Sequence, residues 1–177
     1  AGQEHGLAAK VHAEEFERIG GAQLAADLEA TSADHLLQAI DEDGEALAEA
    51  GVTPVLLPGT ALTLATNYAD PGRFADAGAP VAVATDFNPN CHSTSMEFAV
   101  DLACHGMRMA PADAIRAATV VAAEAIDRDD GTGTLREGAP GDLVVADAPD
   151  FEHVPYSFGV PTTEVVLKAG EVVHDAR

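Results

Sequence analysis

Three polar residues have the types and settings that divalent-metal chemistry requires: His12 in KVHAEEF, His35 in SADH and Asp86 in ATDFNPN. Imidazole and carboxylate are the ligands that borderline ions such as zinc or iron accept, and a catalytic site leaves one position open for water. Water bound there drops in pKa toward neutrality and becomes a nucleophile. Glu14 and Glu15, adjacent to His12 in sequence, are the carboxylates nearest to move its protons. Taken alone, the HxxE spacing of His12 and Glu15 reaches no further than a metal-dependent hydrolase.

Chemistry of this kind needs a scaffold that brings distant residues to one mouth. Parallel β/α proteins do so at the ends of their strands. Here Ala8–Val11 reads as a short strand with His12 after it, and PVAVAT (80–85) reads as the clearest strand, with Asp86 after it. His35 stands before a helical stretch over 36–40. Helices are predicted over 22–28, 43–50 and 74–77, and a buried strand over 52–57. Two long helices follow. Met96, Val100, Ala103 and Met107 form one apolar stripe, and Pro111 opens a second helix whose buried face is Ile115, Ala118, Ala122 and Ile126. After Gly133 the pattern changes to short strands at DLVVAD, TEVVLK and EVVH, with Ala169-Gly170 as a hairpin turn. The fold class is therefore α/β: a layered β/α region over 1–128, then a small β segment over 129–177.

Composition narrows the partners. The chain has 177 residues, 47% of them hydrophobic, which argues against disorder. Thirty acidic residues oppose nine basic ones, for a net charge of -21. Such a surface repels phosphate, so no nucleic acid and no anionic membrane is expected as a partner. The acids are dispersed, which favours adaptation to high salt over a nucleic-acid mimic or a calcium-rich surface. No apolar run reaches the roughly 18 residues of a membrane span. Two cysteines, Cys91 and Cys104, make no disulfide framework, so the cytoplasm is the expected compartment.

The same motifs carry a resemblance. KVHAEEF, SADH, LLPGTAL, ATDFNPN and the closing GTLREGAPGDLVVAD, PYSFG and VVLKAGEVV resemble, in order along the chain, the imidazolonepropionase family of the metal-dependent amidohydrolase superfamily. The combination of HAEE, SADH and DFNPN is the specific part. The resemblance implies part of a (β/α)8 TIM barrel followed by part of a small β-sandwich. It implies a hydrolase that opens the ring of 4-imidazolone-5-propanoate to N-formimidoyl-L-glutamate, with one divalent metal, zinc or iron. By motif, His12 and Asp86 resemble metal ligands, and Glu15, His35 and Asp86 resemble catalytic groups. A protonated His35 is one way to stabilise the developing negative charge. Glu15, Asn88, Asn90 and Cys91 match substrate-binding positions.

Two departures accompany the match. Asn90 stands where the family usually has glycine, and Cys91 where it has a small hydroxyl residue. The family's HxH pair, which supplies the remaining metal ligands, and its early arginine and tyrosine contacts to the substrate carboxylate have no counterpart here. The chain therefore resembles the C-terminal portion of the enzyme, and the isolated 177 residues are expected to bind zinc poorly and not to turn over the substrate. The expected partner is a small-molecule substrate, and a homo-oligomer is the expected assembly. The alternatives are another metal-dependent cyclic amidohydrolase or deaminase, or a non-catalytic truncated relative.

Overall fold

The computed structural model describes residues 2–177; Ala1, the first residue of the expected 1–128 region, lies outside the described residues. Four short strands, β1 (Lys10–Ala13), β2 (Ser32–His35), β3 (Thr53–Leu56) and β4 (Ala82–Val83), form one parallel sheet in chain order. Between them run α1 (Gly21–Asp27), α2 (Asp41–Ala50), α3 (Pro58–Thr63) and α4 (Pro71–Ala77). Each strand feeds a helix that returns the chain to the start of the next strand, which is what parallel pairing demands.

Side chains alternate across the sheet, and the two faces meet different partners. Leu56, Val81 and Val83 join Leu47, Phe74 and the alanines of α1 in the larger core. Val55, Leu57 and Ala82 turn the other way and pack with Val121 and Ala125. The second face is the one that His12 shares. Register places His12 beside Asp34, Asp34 beside Val55 and Val55 beside Ala82.

Several elements differ from their sequence expectation. His12 lies within β1 rather than after it. SADH is itself a strand, and no helix forms over 36–40: His35 and Leu36 take φ of +77° and +58°, which ends any regular run. PVAVAT narrows to a two-residue strand. LLPGTAL, which carried no predicted helix, starts one at Pro58, whose fixed φ suits a first helical position.

Of the two long helices, α5 (Met96–His105) forms as a unit, with the Ser95 hydroxyl accepting from Phe98 N at 3.1 Å. The other is split into α6 (Pro111–Ala118) and α7 (Val120–Glu124) at Thr119, whose ψ of -92° leaves the helical region. The Thr119 hydroxyl donates to Ile115 O at 2.7 Å, a side-chain bond that competes with the helical ladder. Of the face read as buried, Ile126 is exposed and Ile115, Ala118 and Ala122 are only partly buried, while Ala114, Ala117, Val121, Ala123 and Ala125 are the buried residues.

Gly106, just past α5, shows how tightly this layer is packed. A Cβ there would lie 2.6 Å from the Tyr68 ring. Its backbone is right-handed helical, so the requirement is steric rather than conformational. Gly106→Ala is expected to destabilise the fold by about 1–3 kcal/mol, the usual range for overpacking, as read from denaturant unfolding. An unchanged midpoint would show that the ring moves aside freely.

The last strands, β5 (Leu143–Ala146), β6 (Thr163–Lys168) and β7 (Glu171–Asp175), form a separate antiparallel sheet. Ala169 and Gly170 both have positive φ, as a tight hairpin turn between β6 and β7 requires. A short helix α8 (His153–Tyr156) and the following loop tie this part to α5. Glu97 accepts from Thr162 N at 3.0 Å, Asp101 accepts from Gly159 N at 2.7 Å, and His105 Nε2 lies 2.9 Å from Pro155 O. Three residues at successive helical turns thus hold one segment.

Asp101 is buried, and its second oxygen has no hydrogen-bond partner among the described residues. Burial raises its pKa above the ordinary aspartate value, against the pull of the Gly159 N–H. The native state therefore binds more protons than the unfolded chain between those two values. Asp101 contributes most below the unfolded value, and that contribution is lost as pH rises through the raised native one. Unfolding midpoints measured at a series of pH values are expected to show wild type losing stability relative to Asp101→Asn over this window. Parallel curves would contradict it.

Candidate active site

β1, β2 and β4 deliver His12, His35 and Asp86 to one end of the parallel sheet, the end at which the strands' carboxyl termini lie. The His12 and His35 rings meet edge to face, centroids 4.8 Å apart. Glu15 Oε2 lies 3.7 Å from His35 Nε2. His12, Asp34 and Asp86 also line an open cleft of about 380 Å³ with Val55, Leu57 and Met96. The structure brings the four expected residues His12, Glu15, His35 and Asp86 into one neighbourhood from three strand ends.

His35 is the most enclosed of them, 4% exposed, with its Nδ1 buried and unpartnered. Burial pushes its pKa below the ordinary histidine value; the Glu15 and Asp86 carboxylates pull the other way, and His12 adds to the lowering. Burial thus works against the protonated ring that the resemblance allowed, while the Glu15 and Asp86 carboxylates favour it.

Asp86 takes a left-handed φ of +55°, which turns the chain sharply out of β4. The Thr60 hydroxyl at the start of α3 donates to its carboxylate. In the loop that follows, Asn88 accepts from Asn90 N at 2.8 Å and Cys91 N at 3.0 Å, and donates to Asp86 O at 2.9 Å. Asn88 thus holds the loop's shape. Cys91 is buried, with its thiol toward Thr85 O at 3.5 Å and its sulfur 3.0 Å from where a Gly59 Cβ would lie. Asn90 is exposed, and of the three it is the one free to reach outward.

The turn after β1 that carries Glu15 is pinned twice. Glu14, 2% exposed, accepts from Ile19 N at 2.7 Å and Ala22 N at 3.0 Å. Arg18 forms a two-pronged pair with the buried Asp43, at 2.8 and 2.9 Å. Glu14 is thus a loop-bonding acid, and of the two carboxylates beside His12 only Glu15 faces the site. Asp34 is the site residue that the sequence reading passed over. It hides among dispersed acids, and only the strand register reveals that it stands beside His12.

The donors present fit a divalent ion as two of its ligands. His12 and Asp86 offer the nitrogen and oxygen that zinc or iron accepts, beside a buried imidazole nitrogen with no other partner. Among the described residues no three such donors stand together as a complete cluster. No helix among them is long and apolar enough to cross a membrane.

Comparison with known proteins bears on this geometry. The model of the amidohydrolase family matches residues 4–174. The imidazolonepropionase of Halobacterium salinarum (strain ATCC 29341 / DSM 671 / R1) is 65% identical over 178 residues, covering 97% of this chain and 43% of the relative. That of Haloarcula marismortui is 61% identical, covering 98% and 41%. That of Geobacillus thermodenitrificans is 49% identical, covering 98% and 41%. The chain thus spans about two fifths of the length of the curated relatives it matches. Among solved structures, a zinc-bound adenosine deaminase from Xanthomonas campestris superposes with a TM-score of 0.85 at 21% identity, covering 99% of this chain and 47% of that one. Atrazine chlorohydrolase TrzN from Arthrobacter aurescens TC1, complexed with zinc, gives 0.76 at 18%, covering 98% and 45%. At those identities the likeness is one of fold.

Proposed function

The chain belongs to the amidohydrolase family, and from that membership we propose that it forms the C-terminal part of an imidazolonepropionase, a metal-dependent hydrolase that opens the ring of 4-imidazolone-5-propanoate. The observation that carries the reading is the meeting of His12, His35, Glu15 and Asp86 at the carboxyl ends of parallel strands. The order of motifs and the 65% identity to a relative of that name support the substrate. On this reading residues 1–128, with β1–β4, are the C-terminal part of a (β/α)8 barrel. The β5–β7 sheet of 129–177 is then one part of a small β-sandwich.

His12 and Asp86 would hold the ion, zinc or iron, with the remaining ligands coming from an HxH strand outside these residues. Such an ion, when bound, supplies a water of lowered pKa and a polarised carbonyl. Glu15 holds and passes the proton: its Oε2 faces His35 Nε2, and the turn that carries it is fixed by Glu14 and Arg18. It gives that proton to the ring nitrogen as the amide C–N bond breaks. His35, enclosed beside Glu15, polarises the carbonyl oxygen from a ring N–H. Asn88 and Cys91 shape the loop after Asp86, and Asn90 at its surface contacts the substrate. The product is N-formimidoyl-L-glutamate.

The surface charge of -21 suits a protein adapted to high salt in the cytoplasm. It also repels an anionic substrate, so attraction has to be local to the site.

A substrate panel tests the assignment. With these residues joined to an N-terminal half carrying HxH, loss of the imidazolone ultraviolet band is expected. Release of ammonia from adenosine or cytosine is not. Deamination without ring opening would move the assignment to a deaminase.

A further inference from the structure

Asp34 is 8% exposed, and its carboxylate is oriented before His12 is considered. One oxygen accepts from the Ser32 hydroxyl at 2.6 Å and lies 3.9 Å from Lys10 Nζ. Lys10 is itself anchored, donating to Ala125 O at 3.0 Å and to the Ser32 hydroxyl. The other oxygen lies 3.5 Å from His12 Nδ1. Parallel register enforces this neighbourhood, because His12 and Asp34 are lateral partners on the same sheet face. The His35 ring meets the imidazole edge-on at 4.8 Å, and the His12 side chain is otherwise 68% exposed.

We propose that Asp34 is a positioning residue that fixes His12 as the Nδ1–H tautomer, leaving the Nε2 lone pair free for a metal. Neutral imidazole in water prefers its proton on Nε2. A carboxylate placed against Nδ1 reverses that preference, because only the protonated nitrogen can donate to it. A ligating histidine gains orientation and basicity from such a partner. The carboxylate does so only if its own direction is fixed, which Ser32 and Lys10 accomplish here. The proposal rests on the reading of His12 as a ligand, but its test does not need turnover.

The experiment is long-range ¹H–¹⁵N correlation on the ¹⁵N-labelled chain at pH 8.5, with His12 assigned by loss of its peaks in His12→Gln. In wild type, His12 is expected to show a protonated Nδ1 and an unprotonated, pyridine-like Nε2. In Asp34→Ala the pattern is expected to revert to the Nε2–H form, while the His105 peaks, remote from the change, keep their native positions. A wild-type His12 in the Nε2–H form overturns the proposal, even if the variant does not fold. So does an unchanged His12 pattern in a folded variant. The two readings fail separately: no ring opening by the completed enzyme would sink the substrate assignment and leave a measured Nδ1–H tautomer standing.

Discussion

Glu15→Gln, made in a polypeptide that completes the site, is expected to lower kcat for ring opening by about 10²–10⁴-fold, the usual weight of a general acid–base group. Bound metal is expected to stay the same, because the proposal makes Glu15 a proton carrier rather than a ligand. Its carboxylate is half-buried and 3.7 Å from His35 Nε2. The amide that replaces it keeps shape and hydrogen bonding but cannot hold and return a proton. KM is expected to change much less than kcat, since the lost interaction serves proton transfer. Equal loss of metal and activity would instead make Glu15 a structural support. A rate within threefold of wild type would remove it from the chemistry.

Asp43→Ala is expected to cost about 3 kcal/mol of folding stability, measured by denaturant unfolding in high salt. The Asp43 side chain is fully enclosed and receives both prongs of Arg18, a bond from Gln23 at 3.2 Å and the Ile40 N–H at 3.0 Å. Removal strips the α2 start of its cap and frees the turn that carries Glu15. Burial alone would raise the Asp43 pKa, but Arg18 and the Ile40 N–H outweigh it and hold the value below the ordinary aspartate one. The unfolded chain then binds more protons in the window between the two values. The contribution is complete above the unfolded value and is lost as pH falls through the depressed native one. Asp43 is enclosed although Arg18 is 39% exposed, so salt is expected to screen this pair less than Arg177 with Asp175, exposed on both sides.

Much of this architecture was legible in the residues, and the gaps have physical causes. Three strands of the parallel sheet, β1, β3 and β4, and the three late strands overlap apolar runs bounded by glycine, proline and charge, whereas β2 is the polar SADH and gave no such signal. The helix expected at 36–40 fails because propensity is local, whereas Leu36 is held by a bond from its N–H to Ala13 O on the neighbouring strand. The break at Thr119 is a competition between one hydroxyl and the helical ladder, invisible to an apolar periodicity that runs through it. At the site, His12, His35 and Asp86 stood out because few residue types bind metals. Asp34 did not, because its importance lies in register, and register depends on how two strands align rather than on either sequence alone. The enclosure of His35 is likewise a property of packing.

The central claim is that these strand-end residues serve a metal-dependent ring opening, and metal removal from the completed enzyme tests it most directly. Activity on 4-imidazolone-5-propanoate is followed by the loss of ring absorbance before chelation, after it, and after zinc or iron is returned. The predicted result is turnover that vanishes with the metal and returns with it in wild type, and that does not return in Asp86→Ala. Undiminished turnover by the metal-free enzyme, or full restoration in Asp86→Ala, would contradict it.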